Sequence, residues 1–253
     1  MPVNSEYRLD GKVAFLAGEG DGITPALARA LAEAGAKVFI LGPHQPVVEG
    51  AMMEVASLGG QSLGLFGEPS DPMSVERALE AFLPIWGRVD ILVNNARTSF
   101  GKPFDQVTLE EWDEMMRRNV GAAYLLANRV GREMTSQGNG RIVNIISGLA
   151  ERGLWNSTAF CATQGAVLQL TRGLALEWAR KGVRVNAVGL GWLDGENQNG
   201  SEEDGDPLLR YIPMKRRGMA EEIAPLVVYM ASNACSFTTG QPVYLDGGLL
   251  AHP

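Results

Sequence analysis

Short apolar runs alternate with helix-length segments along most of this chain, and the alternation constrains its fold more than any other feature. Seven runs of four to six residues have the composition of buried strands: Lys12–Ala17, Lys37–Leu41, Ser62–Phe66, Asp90–Val93, Arg141–Ile146, Val183–Val188 and Pro242–Leu245. Helices are predicted over Thr24–Ala34, Ser74–Phe82, Leu109–Ser136, Thr158–Lys181 and Ala220–Ser232. Strands that alternate with helices imply βαβ crossovers. The sequence predicts one α/β domain over residues 1–253, a doubly wound parallel sheet with helices on both faces.

Composition and charge exclude several classes of function. The net charge of −7 argues against nucleic acid as a partner, because phosphate neutralisation requires clustered Lys and Arg. No stretch approaches the roughly 20 apolar residues of a membrane helix, so no membrane partner is expected. The N-terminus has no basic region followed by an apolar run, so no signal peptide is expected.

The few cysteines and histidines limit the redox and metal chemistry. Cys161 and Cys235 are too few for a disulfide framework, which favours a reducing, cytoplasmic compartment. His44 and His252 are the only histidines and lie far apart in the sequence, so no zinc site or Ser-His-Asp triad is expected. We therefore expect no metal.

The least regular segment runs from residue 192 to residue 214. It is rich in Asp, Glu, Asn and Gly and contains Pro207 and Pro213. A long connection without periodicity is typical of a lid, a binding loop or a solvated insertion, and composition does not choose between them. Trp192, at its start, is expected to pack at the hinge of such a lid.

Short motifs follow the ends of the predicted strands. The first strand runs into the turn Ala17-Gly18-Glu19-Gly20-Asp21-Gly22-Ile23-Thr24, an arrangement in which a helix N-terminus holds a pyrophosphate. The companion motifs are Asn94-Asn95-Ala96, Asn119, Ser147, Asn186-Ala187-Val188 and Asp246-Gly247-Gly248. Together they resemble the short-chain dehydrogenase/reductase family over roughly residues 9 to 250.

The resemblance implies a Rossmann-like sheet of about seven strands that binds NAD(H) or NADP(H) and a small-molecule ligand. It implies homodimers or homotetramers formed through the two long helices, with assembly alongside a paralogue as a further expectation. The cofactor positions carried over from the family are Gly18, Gly22, Ile23, Glu68, Asn94, Ala96 and Gly191. The substrate positions are Glu151, Trp155 and Trp192.

The catalytic positions depart from the family pattern. The family's proton relay is Asn, Ser, Tyr and Lys, and Asn119 and Ser147 match its first two members. Phe160 stands thirteen residues after Ser147, where the tyrosine is expected, and Gln164 stands at the lysine position. Phenylalanine has no exchangeable proton and glutamine has no charge, so neither can perform the family's proton transfer.

Cofactor positions differ as well. Thr24 replaces a glycine of the first turn, and Gly42-Pro43 ends the second strand without an acid or an arginine. These departures predict a degenerate active site and a ligand-binding, regulatory or structural subunit impaired in carbonyl reduction. One alternative is an oxidoreductase or non-redox enzyme with altered chemistry around Ser147 and Asn119. Another is a reductase with a substitute proton donor.

Overall fold

A seven-stranded, wholly parallel sheet in the order β3-β2-β1-β4-β5-β6-β7 runs through the computed structural model, which describes residues 3–19, 22–194 and 208–251. Its strands are β1 Val13–Gly18, β2 Lys37–Gly42, β3 Ser62–Phe66, β4 Ile91–Asn95, β5 Gly140–Ser147, β6 Val183–Leu190 and β7 Pro242–Leu245. The predicted single α/β domain, Rossmann-like and doubly wound, is confirmed.

Helices cover both faces of the sheet. They are α1 Val3–Glu6, α2 Ile23–Glu33, α3 Gln45–Ser57, α4 Pro72–Trp86, α5 Leu109–Met115, α6 Ala122–Gln137, α7 Thr158–Trp178 and α8 Ala220–Ala231. The helix predicted over 109–136 is interrupted by a π-helical turn, Met116–Gly121. The sequence interpretation ended the second strand at Gly42-Pro43 and missed α3, which has Pro46 in its first turn. Proline fits the first turn of a helix, where its missing N–H has no partner to lose.

Successive side chains of β1 point to opposite faces of the sheet and pack in two different hydrophobic cores. Leu16 packs in the core that includes Leu27 of α2, and Phe15 points to the opposite face. There the ring centroid of Phe39 lies 5.3 Å from that of Phe15 and 4.9 Å from that of Phe82 of α4. Such aromatic pairs each add about 0.5–1.5 kcal/mol beyond their buried area. β1 is thereby held from both sides.

The topology places a crevice at the carboxyl end of β1. β1 pairs with β2 on one side and with β4 on the other, so the connections diverge in opposite directions at this point. In open α/β sheets, ligands bind in the crevice outside the strand ends where the order reverses. Gly18 ends β1 and Asn95 ends β4, and both lie at this crevice.

Only the two ends of the predicted lid can be located. Residues 195–207 lie outside the described part of the chain. The backbone N–H of Gly218 donates to the carbonyl of Trp192 (3.0 Å), and that of Asp194 donates to the carbonyl of Gly218 (2.9 Å). The start of the segment is therefore anchored to residues just after its end.

None of the helices within residues 3–19, 22–194 and 208–251 combines the length and the apolar character that a bilayer crossing requires. The cytoplasmic location stays a prediction.

We predict that Asp90→Ala lowers the free energy of unfolding by about 1–3 kcal/mol, because it leaves a buried N–H without an acceptor. The Asp90 carboxylate is 2% exposed. It accepts from the backbone N–H of Val13 at 3.0 Å and pairs with Arg88. Urea denaturation measures the loss. Asp113→Ala removes an exposed carboxylate of α5 and should change stability by less than about 0.5 kcal/mol. Equal losses in the two variants would contradict this account of Asp90.

Candidate active site

The first helix after the glycine turn has a free N-terminus. Gly22 is its N-cap, and no side chain among the described residues caps it. A Cβ built on Gly22 would meet no atom within 4 Å, so this position faces open space. Ile23 is buried and fixes the start of α2 against the core. The positive end of α2 is therefore open to an anion at the crevice. Gly20 and Asp21 lie outside the described residues.

Thr24, which replaces a family glycine, turns inward and not toward the crevice. It is 1% exposed and packs on Gly18, where an added Cβ would lie 2.3 Å from Thr24 Oγ1. Its hydroxyl accepts from Asn95 Nδ2 at 3.3 Å. The threonine thus uses the space beside Gly18 to link α2 with the end of β4, and it leaves the helix N-terminus unobstructed.

The Asn94 side chain fixes the backbone at the end of β4 through hydrogen bonds. Its Oδ1 accepts from the backbone N–H of Ala96 at 3.1 Å, and its Nδ2 donates to Asn144 Oδ1 at 3.2 Å. Asn144 in turn donates to Thr171 Oγ1 at 2.9 Å. All three side chains are buried. Asn94 therefore supports Ala96 at the crevice and does not itself line it.

Two further predicted cofactor positions lie at strand ends. Gly191 follows β6, donates its N–H to the carbonyl of Leu245 at 2.9 Å, and lies so close to Asp246 that an added Cβ would be 2.7 Å from Asp246 Cα. Only glycine fits there. Glu68 follows β3, and its carboxylate lies 3.9 Å from the guanidinium of Arg118.

The surviving catalytic positions belong to one buried hydrogen-bond network. Asn119 accepts from the backbone N–H of Thr98 (2.7 Å) and donates to Thr163 Oγ1 (3.0 Å). Gln164 Nε2 donates to the same hydroxyl at 3.3 Å. Gln164 Oε1 accepts from the backbone N–H of Ser147 at 2.9 Å. The structure therefore brings Asn119, Ser147 and Gln164 together, with Thr163 as the connecting residue that sequence reasoning missed.

Phe160 lies in an apolar cluster beside this network. It is 5% exposed and packs with Met115 and Leu149, with Phe100 and Leu154 at the edge. The amide of Gln164 is committed to Ser147 and Thr163, and the residue is 1% exposed. Neither side chain can transfer a proton to or from the reacting oxygen.

The Ser147 hydroxyl remains available at the end of β5. Ser147 is half-buried, and its Oγ accepts from the backbone N–H of Leu149 at 3.2 Å. That bond orients the oxygen and leaves the hydroxyl proton free to donate. A neutral hydroxyl at this position can bind a carbonyl or alcohol oxygen.

Of the predicted substrate residues, Glu151 and Trp155 follow β5, and Trp192 follows β6, whose Leu190 is paired with Ser147 in the sheet. Glu151 accepts from the Tyr244 hydroxyl (3.2 Å) and from Arg172 (3.4 Å). Burial, followed by the adjacent Glu151 carboxylate, raises the pKa of Tyr244, so this phenol stays protonated. Trp155 is 91% exposed. Their roles in substrate binding stay predictions.

A Tyr-x-x-x-Lys spacing joins Tyr211 to Lys215, and the sequence interpretation missed it. The Arg210 guanidinium donates to the Tyr211 hydroxyl at 2.7 Å. Lys215 Nζ donates to the carbonyl of Arg210 at 3.2 Å. The ring of Tyr211 lies 6.4 Å from that of Trp192, centroid to centroid. The expectation that the chain contains no Tyr-x-x-x-Lys was wrong, because the spacing stands in the sequence itself, outside the position that follows Ser147.

Comparison with known proteins identifies the class. The family model described as enoyl-(acyl carrier protein) reductase matches residues 17–250. The chain is 34% identical over 255 residues to D-threitol dehydrogenase of Mycolicibacterium smegmatis, covering 98% of this chain and 96% of that protein. It is 32% identical over 246 residues to gluconate 5-dehydrogenase of Gluconobacter oxydans, covering 96% of each.

A solved structure agrees with these matches. The gluconate 5-dehydrogenase of Burkholderia cenocepacia, in complex with NADP and tartrate, superposes with a TM-score of 0.91 at 31% identity and covers 99% of each chain. The chain belongs to the short-chain dehydrogenase/reductase family.

The comparisons correct the predicted function. The departures at Phe160 and Gln164 predicted an impaired, ligand-binding or regulatory subunit with a degenerate site. The relatives that match over nearly the whole chain are named as dehydrogenases and reductases, which points to oxidoreductase activity. The subunit prediction is therefore wrong, and the enzyme alternative is the better interpretation. The homodimer or homotetramer and the paralogue partner stay predictions.

We predict that Thr163→Val lowers the free energy of unfolding by about 1–3 kcal/mol, because the buried Nε2 of Gln164 loses its acceptor. Thermal or urea denaturation measures the change. Thr135→Val is the matched control: the Thr135 hydroxyl also donates to a carbonyl three residues earlier, but it lies in an exposed setting on α6. A control that loses as much stability as Thr163→Val would show that the network adds nothing at this site.

Proposed function

We propose that this chain is a nicotinamide-dependent oxidoreductase that interconverts an alcohol and a carbonyl on a small polyhydroxylated substrate, a polyol or a sugar acid. Family membership supports the reaction class. The substrate class is supported by the names of relatives, which include D-threitol dehydrogenase, gluconate 5-dehydrogenase and sorbitol dehydrogenase. The observation that carries the proposal is the Ser147 hydroxyl, held at the end of β5 with its proton free to donate.

The crevice fits a dinucleotide. The N-terminus of α2 is open to an anion, and Gly18, Gly22 and Ile23 would hold the pyrophosphate there. Ala96 and Gly191 would bound the crevice further along the sheet edge. Thr98 Oγ1 is buried and has no hydrogen-bond partner among the described residues, so a ligand group can satisfy it. When bound, the nicotinamide would accept or donate the hydride.

Ser147 would bind the reacting oxygen of the substrate. The backbone N–H of Leu149 orients Oγ, and Gln164 fixes the Ser147 backbone through its N–H. A preorganised donor at the oxygen where charge develops lowers the barrier more than it strengthens substrate binding. Gln164 thus keeps a positioning role although it cannot supply the charge of a lysine.

Tyr211 is the proposed substitute for the missing proton donor. It lies next to Trp192, two residues beyond Leu190, and Leu190 is paired with Ser147 in the sheet. The Arg210 guanidinium, 2.7 Å from the phenol oxygen, stabilises the negative charge that the oxygen carries once its proton has left. In reduction Tyr211 would protonate the substrate oxygen as hydride arrives at carbon, and in oxidation it would take that proton back.

We expect the purified chain to oxidise a polyol or a sugar acid with NAD or NADP, as measured by nicotinamide absorbance across a panel that includes threitol, sorbitol and gluconate. Ser147→Ala should lower kcat/KM by about 10²-fold, because it removes the donor to the reacting oxygen. Ser136→Ala, an exposed serine of α6, is the control and should leave the rate unchanged. Absence of turnover with either cofactor across the panel would refute the proposed function.

Tyr211→Phe tests the proton donor separately. General acid–base groups contribute about 10²–10⁴-fold, so kcat should fall by at least about 10²-fold while KM changes little. Tyr124→Phe alters an exposed tyrosine of α6 and should have no effect. A Tyr211→Phe enzyme with wild-type kcat, alongside an impaired Ser147→Ala enzyme, would leave the reaction class standing and exclude Tyr211 as the donor.

A further inference from the structure

Arg118 places a cation across the crevice from the glycine turn. It lies on the π-helical turn Met116–Gly121, directly before Asn119. Its Nη2 is 3.2 Å from Glu19 Oε2 and 3.9 Å from Glu68 Oε2. Glu19 follows β1 and Glu68 follows β3, so one guanidinium spans the crevice from the first turn to the end of the third strand.

The two carboxylates are held differently. The Glu19 side chain is 9% exposed, whereas that of Glu68 is 41% exposed. A buried carboxylate requires a charged partner, because removing the partner leaves an uncompensated charge at low dielectric. The exposed, more distant Glu68 contributes little to the pairing. Glu19 is thus the lasting partner of Arg118, and Glu68 is a partner that another anion can replace.

Arg118 also has an unused donor. Its Nε is buried and has no hydrogen-bond partner within the described ranges of the chain. A buried guanidinium N–H without an acceptor is unfavourable, and a phosphate oxygen would satisfy it with a charge-assisted bond. The side chain as a whole is 24% exposed, so it can be reached from the crevice.

The strand next to β1 supplies no competing group for the nucleotide. β2 ends at Gly42, and Pro43 follows, so neither an acid nor an arginine stands at that strand end. An added Cβ on Gly42 would lie 3.1 Å from the carbonyl oxygen of Gly18, which leaves no room for a larger side chain without movement. A positively charged partner for the nucleotide's phosphates therefore has to come from an element other than β2.

We propose that Arg118 is a cofactor-binding residue of the nucleotide site, which keeps Glu19 as its partner and exchanges Glu68 for a phosphate of the cofactor. The inference rests on the proposed function, because it requires a bound dinucleotide. The phosphate is either the pyrophosphate, which NAD(H) and NADP(H) share, or the 2′-phosphate that only NADP(H) carries. In both cases Glu68 competes with the ligand for the same guanidinium.

Calorimetric titration of the full chain with NADH and with NADPH tests this exchange without any turnover. Arg118→Gln should weaken binding at least about tenfold, since a hydrogen bond to a charged group contributes about 1.5–3 kcal/mol and tenfold corresponds to 1.4 kcal/mol. Glu68→Gln should tighten binding by about threefold, because it removes the competing anion. A purely structural arginine would not produce that gain.

Arg117→Gln is the matched control on the same turn. Arg117 donates to Glu114 and to Ser70 Oγ, and it should affect binding less than about twofold. Because Arg118→Gln removes the cation beside the buried Glu19, the double variant Glu19→Gln with Arg118→Gln removes both charges and preserves neutrality. It should fold and still bind weakly.

The titrations distinguish the two phosphates from each other, and they distinguish failure of the exchange from failure of the proposed function. Equal losses for the two cofactors in Arg118→Gln identify the pyrophosphate, and a loss confined to NADPH identifies the 2′-phosphate. If the double variant binds like the wild type, or Arg118→Gln behaves like Arg117→Gln, the exchange is overturned while the proposed function stands. If the wild-type chain binds neither cofactor, both the exchange and the proposed function fail.

Discussion

The structure depends on the parallel pairing of β1 with β2 on one side and β4 on the other. Every residue of β1 is buried, and its side chains alternate between two helix layers. A strand covered on both faces cannot shift by one residue without turning every side chain into the wrong core. Its carboxyl end is therefore a fixed point, and the crevice, the open N-terminus of α2 and the end of β4 are all placed relative to it.

The altered catalytic positions show how a buried polar site adapts to lost groups. Thr163 bonds to both Asn119 and Gln164, and Gln164 also accepts from the Ser147 backbone. Thr163 and Gln164 thus link Asn119 to the Ser147 backbone, and Phe160 lies among apolar neighbours. The site therefore keeps its geometry without the tyrosine and lysine of the family pattern. The backbone of Ser147 is still held by Gln164, and under the proposed function Ser147 binds the substrate oxygen while another part of the chain supplies the proton.

The charged side chains around the crevice are also paired with one another. The buried Glu19 would repel a dinucleotide if it stood alone, and Arg118 neutralises it. A second carboxylate, Glu68, completes the pairing from the exposed side. The ion pairs therefore place a cation beside the first turn, although the end of β2 carries none. Under the proposed exchange, that cation is the group that a cofactor phosphate contacts.

Prediction from sequence succeeded where the pattern was local and failed where it was not. The seven strands were found within about two residues, because apolar runs of that length have few other uses. The helix α3 was missed after Gly42-Pro43 was taken as the end of the second strand, and the break at Met116–Gly121 leaves the apolar periodicity nearly unchanged. The inference of a non-catalytic subunit was wrong because it took departures from the family motif at Phe160, Gln164, Thr24 and Gly42 as loss of activity, whereas the relatives that match the whole chain are named as dehydrogenases and reductases.

The sequence by itself determined the α/β class, the parallel sheet of about seven strands implied by the family motifs, and the presence of Asn119 and Ser147 at the family positions. Those features depend on periodicity and spacing, which a linear chain displays. Only the tertiary structure decided that Thr163 connects the catalytic positions, that Thr24 turns inward, and that Arg118 reaches Glu19 from 99 residues away. Such contacts form between elements that are distant in sequence, so no local pattern encodes them.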